Sequence, residues 1–290
     1  MSFDHLVGGY AIEREDRREI LRTSSKPQRL LRSSQLPERV DPRKHRLWLD
    51  GFLRVEDQGR QGSCQGQALS ECFEYAWGVA SGSVLQFSRQ YCYIGTQIFD
   101  RISGDRGSTL SGGTKLALAG CCTEKTAPYQ SSYPGHRYIT DAMRQEAEKY
   151  KLRSHTAIQS VEATREYIGS GLGIVQIGIS WNNSMSPDSN GCIRSFSGGG
   201  GGGHSVVFCG YLPDSDVGQR SSAGWWGLLK NSWGTRWGVK GFAYVDPKAI
   251  AAMLAHRYTT FVGRSDLQSD ELRPRPLPVD FTRAGGSMYA

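Results

Sequence analysis

The feature that most limits what this chain can become is a change of hydrophobic period partway along it. Between Leu69 and Ala80 the apolar residues Leu69, Cys72, Phe73, Ala76, Trp77 and Ala80 recur at spacings of three and four, which predicts a helix buried along one stripe. Asp141 to Lys151 and Val161 to Ile168 read as further helices, the second capped by Ser160 and ended by Gly169 and Gly171. Beyond them the pattern shortens. Leu172 to Trp181, Ser205 to Tyr211, Trp225 to Lys230 and Gly241 to Val245 are rich in β-branched and aromatic residues and bounded by Gly, Pro, Asn or Asp, as strands are. Helices first and strands second argue for an α+β protein in which a helical lobe faces a β lobe.

The flanks have a different texture. Residues 1–35 are charged and serine-rich, with one weak amphipathic run from Ala11 to Arg22, and read as an arm. The tail after Arg264 carries Pro274, Pro276 and Pro278 and reads as a surface extension. This places the folded body at 36–263 and the extension at 264–290, within a chain of 290 residues whose 38% hydrophobic content suffices for one large core or two lobes. The net charge of +7 is spread along the chain and accompanied by acids, so no nucleic-acid partner is expected. No run approaches the roughly 18 apolar residues of a membrane span. The N-terminus, with Asp4, Glu13 and Asp16, lacks the plan of a secretory leader, so a cytoplasmic protein is the default and leaderless export stays open.

Seven cysteines occur without a CxxC pair or zinc-like spacing, so no metal and no cofactor is expected. The odd count leaves at least one thiol unpaired. Cys72 lies on the apolar stripe, whereas Cys64 follows Gly62 and Ser63 directly ahead of it. With Ser63 as cap, Cys64 falls in the first helical turn, where unpaired amides and the helix dipole favour a thiolate. A thiolate that attacks a carbonyl needs a proton partner, and histidine suits that near neutral pH. Of six histidines, His204 opens a strand at the end of a loop, while His5, His45, His136, His155 and His256 sit in polar or terminal contexts typical of surface residues. Asn231, between a strand and the turn Ser232-Trp233-Gly234, is placed to orient the imidazole. The glycine run Gly198 to Gly203 reads as a loop, either simply mobile or a lip of a cleft ordered by substrate or by another segment.

Three separated segments resemble the papain-like cysteine proteases, in the bacterial branch of that family. They are Asp57-Gln58-Gly59 through Gly62-Ser63-Cys64, His204 through Tyr211, and Lys230-Asn231-Ser232-Trp233-Gly234 through Trp237-Gly238 and Gly241-Phe242. Leu36-Pro37-Glu38-Arg39-Val40-Asp41 is similar to the start of the family's mature domain, and Ser111-Gly112-Gly113 to its substrate-binding glycine pair. The resemblance implies a two-lobe fold with the active site in the cleft between a helical lobe and an antiparallel β lobe. It implies Cys64 as nucleophile, His204 as general acid and base, Asn231 as orienter, and Gln58 with the Cys64 amide as oxyanion hole. Gly112 and Gly113 would pair with an extended polypeptide substrate, and Trp233, Gly62 and Ser63 would line its path.

Departures from the family pattern accompany the match. Gln65 replaces the usual tryptophan after the nucleophile, and Gln61 and Leu110 stand where two mutually bonded cysteines are usual. Only about 35 residues precede Leu36, so any zymogen-like restraint would come from a short arm touching the cleft. Besides cysteine endopeptidase, two readings remain: a non-catalytic papain-like binding module, and an acyl transferase or peptide ligase using the same thioester.

Overall fold

A computed structural model describes residues 9–11, 14–25, 30–45, 54–199 and 201–272. The apolar stripe at 69–80 lies in α2 (Cys64–Ser81), which is buried from Cys64 to Gly78 and ends at Gly82 in the left-handed conformation. Against it packs α3 (Arg89–Asp100), opened by a Ser88 side chain that accepts from the Tyr91 amide. The contact is close because α2 offers Gly66 there: a Cβ would lie 2.6 Å from the Tyr93 nitrogen. Next come α4 (Leu110–Ala119), capped by Thr109, and α5 (Asp141–Ala147), capped by Thr140. The helix expected to run to Lys151 stops at Ala147, because Lys151 already opens a strand.

That strand is β1 (Lys151–Ala157), followed by β2 (Val175–Ser180), β3 (Cys192–Ile193), β4 (Gly203–Pro213), β5 (Trp225–Lys230), β6 (Phe242–Val245) and β7 (Thr260–Gln268). They form one sheet in the order β1-β7-β2-β4-β5-β6-β3, antiparallel except for the short β3–β6 pair. Helices α6 (Val161–Gly169, capped by Ser160 as expected) and α8 (Pro247–Ala255) pack beside the sheet, and the single-turn α7 (Asp214–Val217) follows β4. The fold is papain-like α+β, with a helical N-terminal region and an antiparallel C-terminal sheet. Among the described residues no helix is long and apolar enough to cross a membrane.

Two boundaries differ from expectation. Strand β7 runs through residue 264 to Gln268, paired with β1 from Lys151↔Gln268 to Ala157↔Val262, so residues 264–268 belong to the sheet. Arg264 is buried there and donates to Gln176, Thr114 and the Leu110 carbonyl. The prolines of the tail lie outside the described residues. At the other end, the amphipathic run forms α1 (Arg14–Thr23), packed on α4, β1 and β7.

A buried charge cluster joins the lobes. Lys230, at the end of β5, donates to Glu71 of α2 at 2.7 Å with the ammonium fully buried. Nearby Glu74 accepts from the Phe87 amide, and Arg89 bridges Glu56 and Glu124. Burial pushes the carboxyls of Glu71 and Glu74 above their ordinary range even though Lys230 pulls both down. Lys230→Met would leave Glu71 without its cation. The expected result is a loss of about 3–5 kcal/mol in stability, read from urea unfolding, with Glu71→Gln in the same background recovering part of it.

Candidate active site

Cys64 is the first residue of α2 and has no solvent exposure. Ser63 precedes it but does not cap the helix as expected: its hydroxyl bonds Tyr129 Oη at 2.6 Å and accepts from Gln67 Nε2 at 3.3 Å. Helix α2 packs against β4, and the Ser205 amide donates to Cys64 Sγ at 3.3 Å. This brings the thiol to the residue that follows His204.

His204 sits second in β4, opposite Ile179 of β2. Its Nε2 lies 2.8 Å from Asn231 Oδ1, and that oxygen also accepts from the Ser232 amide at 2.8 Å. Because a ring nitrogen facing a carbonyl oxygen must carry the proton, Nε2 is the N–H and Nδ1 is the basic nitrogen. Nδ1 is buried and has no hydrogen-bond partner among the described residues. Trp233 lies beside the ring, centroids 4.5 Å apart, and Trp181 meets it edge-on at 4.8 Å and 85°. Trp181 and Trp237 complete the wall with Trp233. Sequence reading missed Trp181. Its signal was present, since it directly follows the strand that pairs with His204, but strand pairing is not local.

Gln58 reaches the same place from the other side. Its amide donates to the Gln61 carbonyl at 3.0 Å, its carbonyl accepts from Ser232 Oγ at 2.8 Å, and its backbone N–H donates to Ser232 O at 2.9 Å. The bridge Asp57↔Trp233 ties the two segments together. Cys64, His204, Asn231, Gln58 and Trp233 therefore converge, with Gly62 beside them, its amide held by Asp105 at 2.8 Å.

Gly112 and Gly113 do not present an open edge. Both lie inside α4, where their amides donate to Thr109 Oγ1 and Thr109 O. A Cβ on Gly112 would strike Asp100, and one on Gly113 would strike Gln65. The extended edge belongs to Ser108, whose amide donates to Gly9 O at 3.3 Å and whose carbonyl accepts from Ala11 N at 3.0 Å. The Gln61–Leu110 correspondence also fails in space. Gln61 turns to Gln90 and the Gln130 carbonyl, whereas Leu110 shares a cluster with Tyr10, Ile20, Cys64 and Val262. All seven cysteines are free thiols.

The segment on the Ser108 edge is the N-terminal arm. Gly9 rests on the thiol: a Cβ there would lie 2.8 Å from Cys64 Sγ and 2.5 Å from the Gly62 carbonyl. Tyr10 donates its amide to Gly203 O at 3.2 Å, sets its ring over Gly178 and gives its hydroxyl to Asp16 at 2.7 Å. The Asp16 carboxylate accepts the Leu110 and Ser111 amides at the start of α4, at 3.2 and 2.5 Å. Burial raises its pKa, against the pull of Tyr10 and these amides. Further along, Glu19 pairs with Lys115 at 3.2 Å, Thr23 Oγ1 lies 2.9 Å from His155 Nε2, and Ser25 donates twice to the His155 carbonyl. His155 is thus buried under the arm, contrary to the surface position expected, and burial with Arg264 nearby holds its pKa down at about 4.

Covering the thiol reverses the expected electrostatics. Burial pushes the Cys64 thiol up to about 12, outweighing the Ser205, Gln65 and Cys64 amides that favour the anion. Burial likewise takes His204 down to about 4, against the Asn231 bond that raises it. Under the arm the two groups are neutral at neutral pH.

Crowding accounts for glycine at position 201 of the run, and Gly198 and Gly199 take positive φ. Gly202 O accepts from Trp181 N at 2.9 Å, Asn182 holds Gly199 O at 2.8 Å, and a Cβ on Gly201 would collide with the Trp181 carbonyl. Gly203 O is the acceptor used by Tyr10.

A thiol that meets the amide following a strand-borne histidine, an asparagine on that histidine and a tryptophan wall are thus gathered on an α+β frame. The sequence pattern of the papain family cysteine proteases matches residues 36–258, and the chain belongs to that family. No curated protein matches it by sequence. Among solved structures it is similar to xylellain, a cysteine protease from Xylella fastidiosa, at 21% identity over 91% of this chain and 98% of that one, TM-score 0.69. It is also similar to procathepsin B S9 from Trypanosoma congolense, at 15% identity over 90% and 87%, TM-score 0.63. A third is the bromelain protease from Ananas comosus in complex with the E64 inhibitor, at 15% identity over 79% and 99%, TM-score 0.58. At these identities the likeness extends to the fold.

Proposed function

We propose that this chain is a latent cysteine endopeptidase of the bacterial branch, with Cys64 as nucleophile and the N-terminal arm as its restraint. The observation that carries the reading is the His204 Nε2–Asn231 Oδ1 bond at 2.8 Å, which fixes the tautomer and leaves Nδ1 as the base on a residue next to the amide that touches Cys64 Sγ. When the arm lifts, water reaches the thiol, desolvation relaxes, and the helix-start amides favour the thiolate paired with imidazolium. The sulfur then adds to a peptide carbonyl, whose electron pair moves to oxygen and is held by Gln58 and the Cys64 amide. Collapse breaks the C–N bond as His204 gives its proton to the leaving amine. Water, deprotonated by His204, cleaves the thioester and returns the thiol. An edge at Ser108 that receives mid-chain backbone supports internal cleavage.

The test is a peptide-library digest by full-length protein carrying Gly9→Val to dislodge the arm, with and without an added amine. Hydrolysed fragments in both conditions support the proposal. Amide products dominating whenever amine is present would make the chain a transferase, and binding without any cleavage would make it a binding module. In the same background Gly201→Ala should lower kcat/KM about tenfold or more, because displacing Trp181 shifts His204; steady-state kinetics at unchanged melting temperature checks this.

A further inference from the structure

Gln65 follows Cys64 directly and is fully buried. Its Oε1 accepts from Ser108 Oγ at 2.9 Å. Its backbone carbonyl accepts from Gln176 Nε2 at 3.2 Å, and the other end of that amide, Oε1, accepts from Arg264 Nε at 3.0 Å. A guanidinium only donates, so the orientation of Gln176 is settled. Arg264 also donates to Thr114 Oγ1 at 2.8 Å and Leu110 O at 3.0 Å. The first turn of α2, the start of α4 and the Ser108 edge are therefore bound into one polar unit inside the protein. Gln65 Nε2, meanwhile, is buried with no hydrogen-bond partner among the described residues. A leucine of similar size would fill the site without stranding that donor, so the feature that distinguishes glutamine here is its grip on Ser108.

Ser108 is the residue whose N–H and C=O receive an extended chain beside the thiol, as they do Gly9 and Ala11. We infer that Gln65 is a positioning residue: by holding Ser108 Oγ it sets the height of that backbone edge relative to Cys64, so that a paired peptide presents its carbonyl to the sulfur. The inference rests on the proposed peptidase reading and concerns binding of the chain; proton transfer at His204 is untouched by it. The arm and a substrate use the same edge and depend on Gln65 alike.

The experiment uses full-length protein carrying Gly9→Val, with active sites counted by alkylation of Cys64. Gln65→Leu and Ser108→Ala are each expected to raise KM about tenfold, the worth of one buried hydrogen bond, with kcat within about twofold. The double variant should be no worse than either single, because both remove the same bond, and Gln65→Glu, which keeps the acceptor, should return KM close to the parent. Unchanged KM, additive losses, or a joint fall of kcat and titratable sites would overturn the inference. If the parent cleaves no peptide, the peptidase reading fails by itself. The same variants are then compared for affinity toward a synthetic peptide of residues 7–25, where a tenfold weakening in both singles supports the role of Gln65 and equal affinity overturns it.

Discussion

Cys64→Ala in the Gly9→Val background is expected to lose peptide hydrolysis by a factor of about 10⁴ or more while folding unchanged. The loss is large because alanine removes the only atom able to form the covalent intermediate. His204→Ala should cost nearly as much, and the double variant little more than either single, since nucleophile and base act as one unit. The side chain at 64 is small and the site is already enclosed, so the melting temperature should stay within a few degrees. Residual cleavage by Cys64→Ala within tenfold of the parent would remove Cys64 from the chemistry. Assays of kcat/KM on a quenched peptide, with circular dichroism on the same samples, decide the matter.

Gly9→Val should also change the thiol itself. In the docked protein Cys64 is pushed up to about 12 and His204 down to about 4, both by burial, so the thiolate is scarce across the neutral range and alkylation grows only toward alkaline pH. Valine at position 9 has no room against Gly62 and Cys64. Once the segment is displaced, the helix-start amides and His204 favour the ion pair, and alkylation near pH 6.5 should rise by at least about a hundredfold. Its pH profile should form a plateau beginning well below pH 8. A variant that retains the alkaline-only profile, with the arm shown by limited proteolysis to be released, would mean that the arm does not set the state of Cys64.

Much of the candidate site was legible because its signals are local. Cys64 ahead of an apolar stripe, His204 at a strand start and Asn231 before an aromatic turn each announce themselves within a few residues, and the strands β4 to β6 were found for the same reason. What escaped depends on distant contacts. Helix α3 is built largely of Gln, Tyr and Thr that become buried only through packing, and α4 carries two internal glycines that mimic a loop. Strand β7 was missed because Arg264 and Asp266 look exposed, yet Arg264 is enclosed by partners from β2 and α4. The raised thiol pKa was illegible for a similar reason: local sequence places Cys64 at a helix start, but only the fold places Gly9 on top of it.

Helix α4 does not finish its own beginning. Its first two amides are completed by Asp16, a side chain supplied from the arm, so that helix end leans on the same segment that covers the thiol. On the proposed reading, whatever frees the cleft also takes Asp16 away from that helix end, and the released form is expected to be the less sturdy of the two. Readiness and durability would then be exchanged through Asp16 together with the arm's bonds to Lys115 and His155.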